Sequence, residues 1–232
     1  MKRFYKDVTV SHETDGYLVR LDGRAIKSPA KKLLVSPTLH LADLVAAEWD
    51  AQEDQVRPQN MPQTRFVGTA VDSFAHKRPE TEIAIKAYAA GDLLSYWADA
   101  PEGLVSEQHR LWQPVLDWAV DKYGVEIKTT TNLSSVTQSD ETVSRLSEAV
   151  SACDDFHLVP LSIATGSLGS LILALALVER EIDAETAFNA AQVEETFQIS
   201  QWGEDAEATI RREGQLSELR ELQRYIAALA AV

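Results

Sequence analysis

The spacing of apolar residues changes near residue 36, and this change restricts the chain to folds that combine a small sheet with helices. Before that point apolar and polar residues alternate, as in KDVTV at 6–10 and YLVRL at 17–21. A period of two indicates strands with one buried face. The pair Asp22-Gly23 is a favoured two-residue hairpin turn before the next extended segment at 24–27. The first forty residues therefore predict a sheet of three or four strands.

Beyond residue 36 the apolar residues recur every three or four positions, which indicates helices. Ser36 is a suitable N-cap with Pro37 at the first helical position, where the missing N–H costs nothing. Pro114 lies inside the helical pattern of 104–123, so we expect a kink there or two abutting helices. Segment 168–179 is apolar on nearly all sides, which is typical of a central core helix. Other helices are predicted to begin near residues 61, 79, 139, 183 and 216.

These patterns predict an α+β fold. A small N-terminal β-containing domain with one or two helices packs on a larger, mainly α-helical C-terminal domain. We place the first domain at 1–75 and the second at 76–232. A chain of 232 residues is long enough to build two such domains around a real hydrophobic core.

Charge and composition argue against several classes of function. A net charge of −14 and a pI near 4.8 are unfavourable for sequence-independent binding of nucleic acid and for anionic membrane surfaces. The single cysteine, Cys153, excludes an internal disulfide, and the five histidines lack the spacing of a metal site. The most apolar segment, at 171–178, is much shorter than the roughly 20 residues that span a bilayer. We therefore expect a soluble protein that uses no metal and no cofactor.

The segment at 187–202 contains a carboxylate in an unusual place. Wound as one continuous helix, it gathers Phe188, Phe197 and Trp202 on one apolar side, with Glu194 and Gln198 near the middle of that side. A carboxylate removed from water is costly, so Glu194 needs a buried partner, a raised pKa or a surface that another molecule covers. An interhelical hydrogen bond and a functional site both remain open from this pattern.

Other candidate chemistry is weak. ATGSLGS at 164–170 has two glycines before a helix but lacks the Gly-Lys ending of a phosphate-binding loop, which favours close helix packing there. Glu194, Glu195, Glu204, Asp205 and Glu207 could pair for acid–base work, although paired carboxylates are common by chance in so acidic a chain. The chain also has five tryptophans, a residue type enriched in cores and at interfaces. We assign three of them to structure: Trp49, Trp112 and Trp118.

Several segments together resemble the assembly chaperones of the F-type ATP synthase that handle its α subunit. They run in the order of that family: RFYKDVTV, GYLVRLDGRAIKSP, EWDAQ followed by MP, WQP with LDW behind it, GSLGSLILALAL, and EETFQISQWGEDAEA. The chain departs from the family pattern at Gln113, where aspartate is expected, at the aromatic pair Tyr96-Trp97, and at NL in positions 132–133. None of these departures touches the C-terminal block.

The resemblance implies a protein without enzymatic activity, cofactor or small-molecule substrate. Such a protein holds newly made α subunit, masks the surface that α later offers to β, and prevents aggregation until β binds. Because the chain opens directly on the first family segment, it resembles a cytoplasmic bacterial member; eukaryotic relatives work in the mitochondrial matrix. The residues expected to contact the client are Glu194, Glu195, Gln198, Trp202 and Glu204.

Two other functions remain open at this point. The chain could be a general adaptor with a different client. It could also be a hydrolase or isomerase that uses Glu194 as general acid or base. The enzyme hypothesis predicts a deep pocket around Glu194 with a second titratable group within reach.

Overall fold

A computed structural model describes residues 1–72, 74–132, 134–203 and 205–231 of the chain. Its N-terminal part is an antiparallel sheet of four strands: β1 (Val8–Glu13), β2 (Gly16–Leu21), β3 (Arg24–Ala25) and β4 (Val35–Ser36). Strand β2 is central, because it pairs with β1, β3 and β4. Asp22 and Gly23 have φ angles of 49° and 79° and close the β2–β3 hairpin, as predicted.

Outside the sheet, the regular structure of the described residues is helical, and the predicted α+β class is confirmed. Three short 3-10 helices at Pro58–Asn60, Ala87–Ala90 and Leu93–Ser95 join the longer helices. The α-helices in the described residues are α1 (Leu39–Asp50), α2 (Pro62–Asp72), α3 (Phe74–Lys86), α4 (Glu102–Tyr123), α5 (Asp140–Ala152), α6 (Asp155–Leu168), α7 (Leu171–Val178), α8 (Ala184–Ala191), α9 (Val193–Trp202) and α10 (Ala206–Ala230).

Three predicted helix starts are wrong. Ser36 is buried in β4, and Thr38 caps α1 instead, with its Oγ1 accepting a hydrogen bond from the N–H of Leu41 at 3.2 Å. Helix α3 begins before Pro79 rather than at it, and α10 begins ten residues before the predicted start. Other starts are confirmed, because Ser139 caps α5 and Asp183 caps α8. Helix α4 continues through Pro114 as one helix.

The chain divides into two compact units. The first joins residues 1–78 with 155–159 and with the C-terminal end from Arg224. In its core Leu41, Val45 and Phe66 are completely buried, and the ring of Phe66 packs edge-on against Tyr225 with centroids 5.6 Å apart. The second unit comprises residues 79–154 and 160–223. The domain limits predicted from the sequence, 1–75 and 76–232, stay a prediction.

Helix α7 is the centre of the second unit. Every residue from Leu171 to Leu177 is buried, as its uniformly apolar sequence predicts. Its N-terminus carries a buried carboxylate: Asp92 accepts hydrogen bonds from the Ser170 hydroxyl at 2.7 Å and from the N–H of Ile172 at 3.1 Å. Burial raises the pKa of Asp92 despite these hydrogen bonds. The glycine-containing segment at 164–170 thus ends α6 and caps α7. The predicted close helix packing at its glycines is wrong, because a Cβ at Gly166 or Gly169 would meet no atom within 4 Å.

Candidate functional site

The helix that carries Glu194 is interrupted, so the predicted continuous helix across 187–202 is wrong. Helix α8 ends at Ala191, and Gln192, with φ −106° and ψ 15°, separates it from α9. The Gln192 side chain accepts a hydrogen bond from Arg212 at 3.1 Å and donates one to Gln215 at 3.0 Å. Because the break changes the helical phase, the apolar side of α8 does not continue through α9.

Glu194 is exposed, so its predicted position in the middle of an apolar side is wrong. One of its carboxylate oxygens accepts a hydrogen bond from Nε2 of Gln108 in α4 at 3.0 Å. Gln108 is completely buried, and its Oε1 accepts a hydrogen bond from the backbone N–H of Ala98 at 2.8 Å. The interhelical hydrogen bond that the sequence left open is therefore present. It orients a carboxylate that water and partner molecules can still reach.

Glu195 is tied to α10. Its Oε1 accepts a hydrogen bond from Nη2 of Arg211 at 2.5 Å, and its Oε2 lies 3.7 Å from Nη1 of Arg212. Arg212 is the less exposed of the two arginines, and its guanidinium also lies over the ring of Phe188 at 5.1 Å from the centroid. Two guanidinium groups offset the charge of Glu195, which thereby joins α9 to α10. Among the described residues, no lysine or arginine forms an ion pair with Glu194.

Three residues of α9 form a surface that we call the α9 surface: Glu194, Gln198 and Trp202. They follow one another at intervals of four, so they line one side of the helix, and all three are exposed. The side chain of Trp202 is 80% exposed. Ile210 at the start of α10 is another large apolar residue in water, with 71% of its surface exposed. The fifth predicted contact, Glu204, lies outside the described residues.

The three tryptophans assigned to structure differ in burial. Trp112 is completely buried, and its indole N–H donates to the carbonyl of Ala190 at 2.8 Å. Trp118 is half-buried beside Tyr123, with ring centroids 5.5 Å apart. Trp49 is also half-buried and meets Tyr5 with centroids 5.7 Å apart. These placements support a structural role most strongly for Trp112.

Sequence reasoning missed Gln108, which holds Glu194 in place. The two residues are 86 positions apart, and a glutamine inside a helical pattern carries no signal of a long-range partner. Within the described residues no group of three or more His, Cys, Asp or Glu side chains could hold a metal ion. In the same residues, every helix is too short or too polar to cross a membrane.

Comparison with known proteins places the chain in a family. The model of the family described as ATP12 chaperone protein matches residues 2–120. Protein atp12, mitochondrial, of the fission yeast Schizosaccharomyces pombe is 28% identical over an alignment of 219 residues, and the match covers 88% of this chain and 75% of the yeast protein.

Solved structures agree over almost the whole chain. The crystal structure of Atp12 from Paracoccus denitrificans superposes with a TM-score of 0.94 at 34% identity, and the match covers 98% of each chain. A protein from Agrobacterium tumefaciens gives a TM-score of 0.92 at 39% identity, over 98% of this chain and 86% of the other. Since the family model spans just over half of the sequence and these structures span nearly all of it, the chain belongs to the ATP12 chaperone family.

Proposed function

We propose that this protein is an assembly chaperone of the F-type ATP synthase that binds the unassembled α subunit. It masks the surface that α offers to β, prevents aggregation of α, and leaves when β arrives. Membership of the ATP12 chaperone family is the observation that carries this proposal, together with the family segments that run along the sequence. We further propose that it works in the bacterial cytoplasm, whereas the fission yeast relative is named as mitochondrial.

The α9 surface has the properties that a client contact needs. Trp202 offers a large apolar ring at low entropic cost, and aromatic residues of this kind are frequent at the centre of protein interfaces. Glu194 adds a carboxylate that is already oriented by Gln108, so little freedom is lost when it binds. We propose that α is held through Glu194, Gln198 and Trp202, with Glu204 as a further contact.

Glu195 has a different place in this proposal. Its pairing with Arg211 and Arg212 leaves it less able to attract a cationic group of the client. We propose that Glu195 supports the α9 surface by fixing α9 against α10. Loss of Glu195 then acts on the orientation of α9, while loss of Glu194 acts directly on the contact.

Masking an assembly surface explains why such a contact is polar as well as apolar. A subunit interface exposed before assembly is a large apolar patch that promotes association with wrong partners. A chaperone that must later leave needs moderate affinity, which a polar-rimmed surface gives more readily than a continuous apolar core. An exposed tryptophan flanked by Glu194 and Gln198 fits that requirement.

The enzyme alternative finds little support at Glu194. Its hydrogen-bond partner is the amide of Gln108, which does not titrate and so cannot share acid–base work. The side chain is exposed, whereas a general acid or base is usually tuned by burial or by a charged neighbour. The relatives are named as chaperones, which also favours a binding function over catalysis. A general adaptor remains the alternative that the binding experiment must exclude.

The first test is capture of the client. The tagged chain is incubated with purified, newly refolded α subunit, with β subunit, and with an unrelated aggregation-prone protein, and bound material is quantified. We expect retention of α alone and suppression of its light scattering. Equal retention of all three proteins would identify a general adaptor, and retention of none would refute the proposal.

The second test addresses Glu194. We expect Glu194→Lys to weaken α binding by about tenfold or more, because it places a cation where the client meets a carboxylate. Glu194→Gln should have a smaller effect, since it removes the charge but keeps an acceptor for Gln108. Glu213→Lys is the matched control, because Glu213 is an exposed glutamate on α10 outside the α9 surface. Unchanged affinity in both folded Glu194 variants would show that the contact lies elsewhere.

A further inference from the structure

A groove of about 530 Å³ in the first unit is lined by the start of the chain, the β2–β3 hairpin and the end of α1. Part of its lining is apolar, because Tyr5, Leu21 and Ile26 are buried there. Phe4 also lines the groove and is 63% exposed, although its ring packs edge-on against Tyr5 with centroids 5.3 Å apart. An aromatic ring left in water beside buried apolar residues provides the anchor that docking sites commonly use.

The groove is also rich in unused hydrogen-bond donors. Arg24 and Lys27 line it with exposed side chains, and neither forms a hydrogen bond or an ion pair with the described residues. The lining also contains the carboxylate of Asp22, which interacts electrostatically with Arg24 and whose Oδ1 accepts hydrogen bonds from two backbone N–H groups at 2.9 and 3.1 Å. The groove therefore has cationic donors ready for an external acceptor.

The charge of the groove lining is opposite to that of the chain. Its charged residues are Arg24, Lys27 and Asp22, a net charge of +1, whereas the whole chain carries −14. A protein with so negative a field repels acidic partners in general. A local cationic groove then binds an acidic segment selectively, because the rest of the protein surface does not attract such a segment.

We propose that this groove binds an extended acidic segment of a partner protein in which apolar side chains stand between the carboxylates. The carboxylates pair with Arg24 and Lys27, and the apolar side chains cover Phe4 and the apolar lining. The proposal goes beyond the holding of α subunit, and it does not depend on the identity of the client.

The test uses fluorescence anisotropy with two labelled probes of equal length, one alternating glutamate with leucine and the other lysine with leucine. Full-length protein is titrated into each probe at low salt. The variants are Arg24→Glu combined with Lys27→Glu, and Phe4→Ala alone. Lys77→Glu is the matched control, because Lys77 is exposed in the same unit but does not line the groove. Thermal melting verifies that all variants fold, which is expected for exposed side chains.

We expect the glutamate probe to bind the wild-type protein and the Lys77 control equally, and to bind the double variant at least about tenfold more weakly. Phe4→Ala should weaken binding by a smaller factor, and added salt should weaken it further. Equal binding of the probe to the double variant and the wild type, or no binding at about 1 mM protein, overturns the proposal. Concentration-dependent dimerisation in sedimentation that the double variant loses would assign the groove to acidic residues of a second copy, and would overturn the assignment to a partner segment.

Discussion

Trp112 and Trp202 are the same residue type in the same compact unit, but they have opposite environments. Trp112 is completely buried, packs edge-on against Trp97 with centroids 5.4 Å apart, and donates its indole N–H to Ala190. Trp202 ends α9 with 80% of its side chain in water. Burying an indole lowers the free energy of the folded state, whereas exposing one makes little contribution to it. The contrast separates the interior, which supports stability, from the α9 surface, which we expect to support binding.

Replacement of Trp112 should give the largest loss of stability. We expect Trp112→Ala to lower the free energy of unfolding by about 3–5 kcal/mol, because it leaves a cavity in a packed interior and removes the donor that satisfies Ala190. Urea denaturation followed by circular dichroism measures this loss. Trp118→Ala is the comparison variant and should cost less, since Trp118 is only half-buried. If Trp112→Ala lowers the free energy of unfolding by less than about 1 kcal/mol, the claim that buried Trp112 supports stability would be contradicted.

The buried carboxylate of Asp92 allows a second test of how the interior contributes to stability. We expect Asp92→Asn to lower the free energy of unfolding at neutral pH by about 1–3 kcal/mol, because an amide cannot accept all the hydrogen bonds that the carboxylate accepts from Ser170, Leu94 and Ile172. Burial raises the pKa of Asp92 in the folded state, so the unfolded chain ionises first as the pH rises. The wild-type protein therefore loses stability as the pH climbs from the unfolded pKa through the folded pKa.

The pH dependence separates the charge of Asp92 from its hydrogen bonds. Stability of the wild-type protein and of Asp92→Asn is compared at pH values from about 4 to 7. The deficit of the variant should grow as the pH falls, since only the wild-type side chain gains from protonation. A deficit that stays constant, or that shrinks toward low pH, would show that burial of the charge does not affect stability in the way we describe.

Local features of this chain could be predicted from the sequence because they depend on neighbouring residues. The Asp22-Gly23 turn needs two residues with positive φ, and both the turn and the Asp183 cap follow from side chains within three positions. Helix α7 could be predicted because its residues are apolar on every side. The prediction that Ser36 caps α1 was wrong because Thr38, a second suitable cap, lies only two residues further on. In addition, Ser36 pairs in β4 with Tyr17 of β2, and a contact between residues so far apart in sequence leaves no local pattern.

The geometry of the candidate site could not be predicted from the sequence, because it depends on contacts between residues that are far apart in the chain. Gln192 breaks the helix while its side chain is bonded to Arg212 and Gln215, which are twenty or more positions away. The hydrogen bond from Gln108 to Glu194 joins helices that are distant in sequence. The client-contact residues were predicted from the helical pattern around Glu194 together with the family resemblance, and they stay a prediction. The groove beside Phe4 has no sequence signature beyond the basic balance of the first 35 residues.

The smallest expected effect on stability, and a large one on binding, comes from Trp202. We expect Trp202→Ala to change the free energy of unfolding by less than about 0.5 kcal/mol, because most of the side chain is already in water. The same change should weaken α binding by about tenfold or more if Trp202 is an anchor of the interface. Ile83→Ala is the control, because Ile83 is 69% exposed on α3 and should alter neither quantity.

The pair of measurements on Trp202 decides what its exposure means. If Trp202→Ala keeps the stability of the wild-type protein but binds α more weakly, then the indole contributes to binding and not to folding. This is the role that the contrast with Trp112 assigns to Trp202. Lowered stability would show that Trp202 packs on the protein in solution, and the α9 surface would then lose its apolar anchor. Unchanged stability and unchanged binding would leave Glu194 and Gln198 as a purely polar contact. An interface of that kind should weaken steeply with added salt, whereas one anchored by Trp202 should retain most of its affinity.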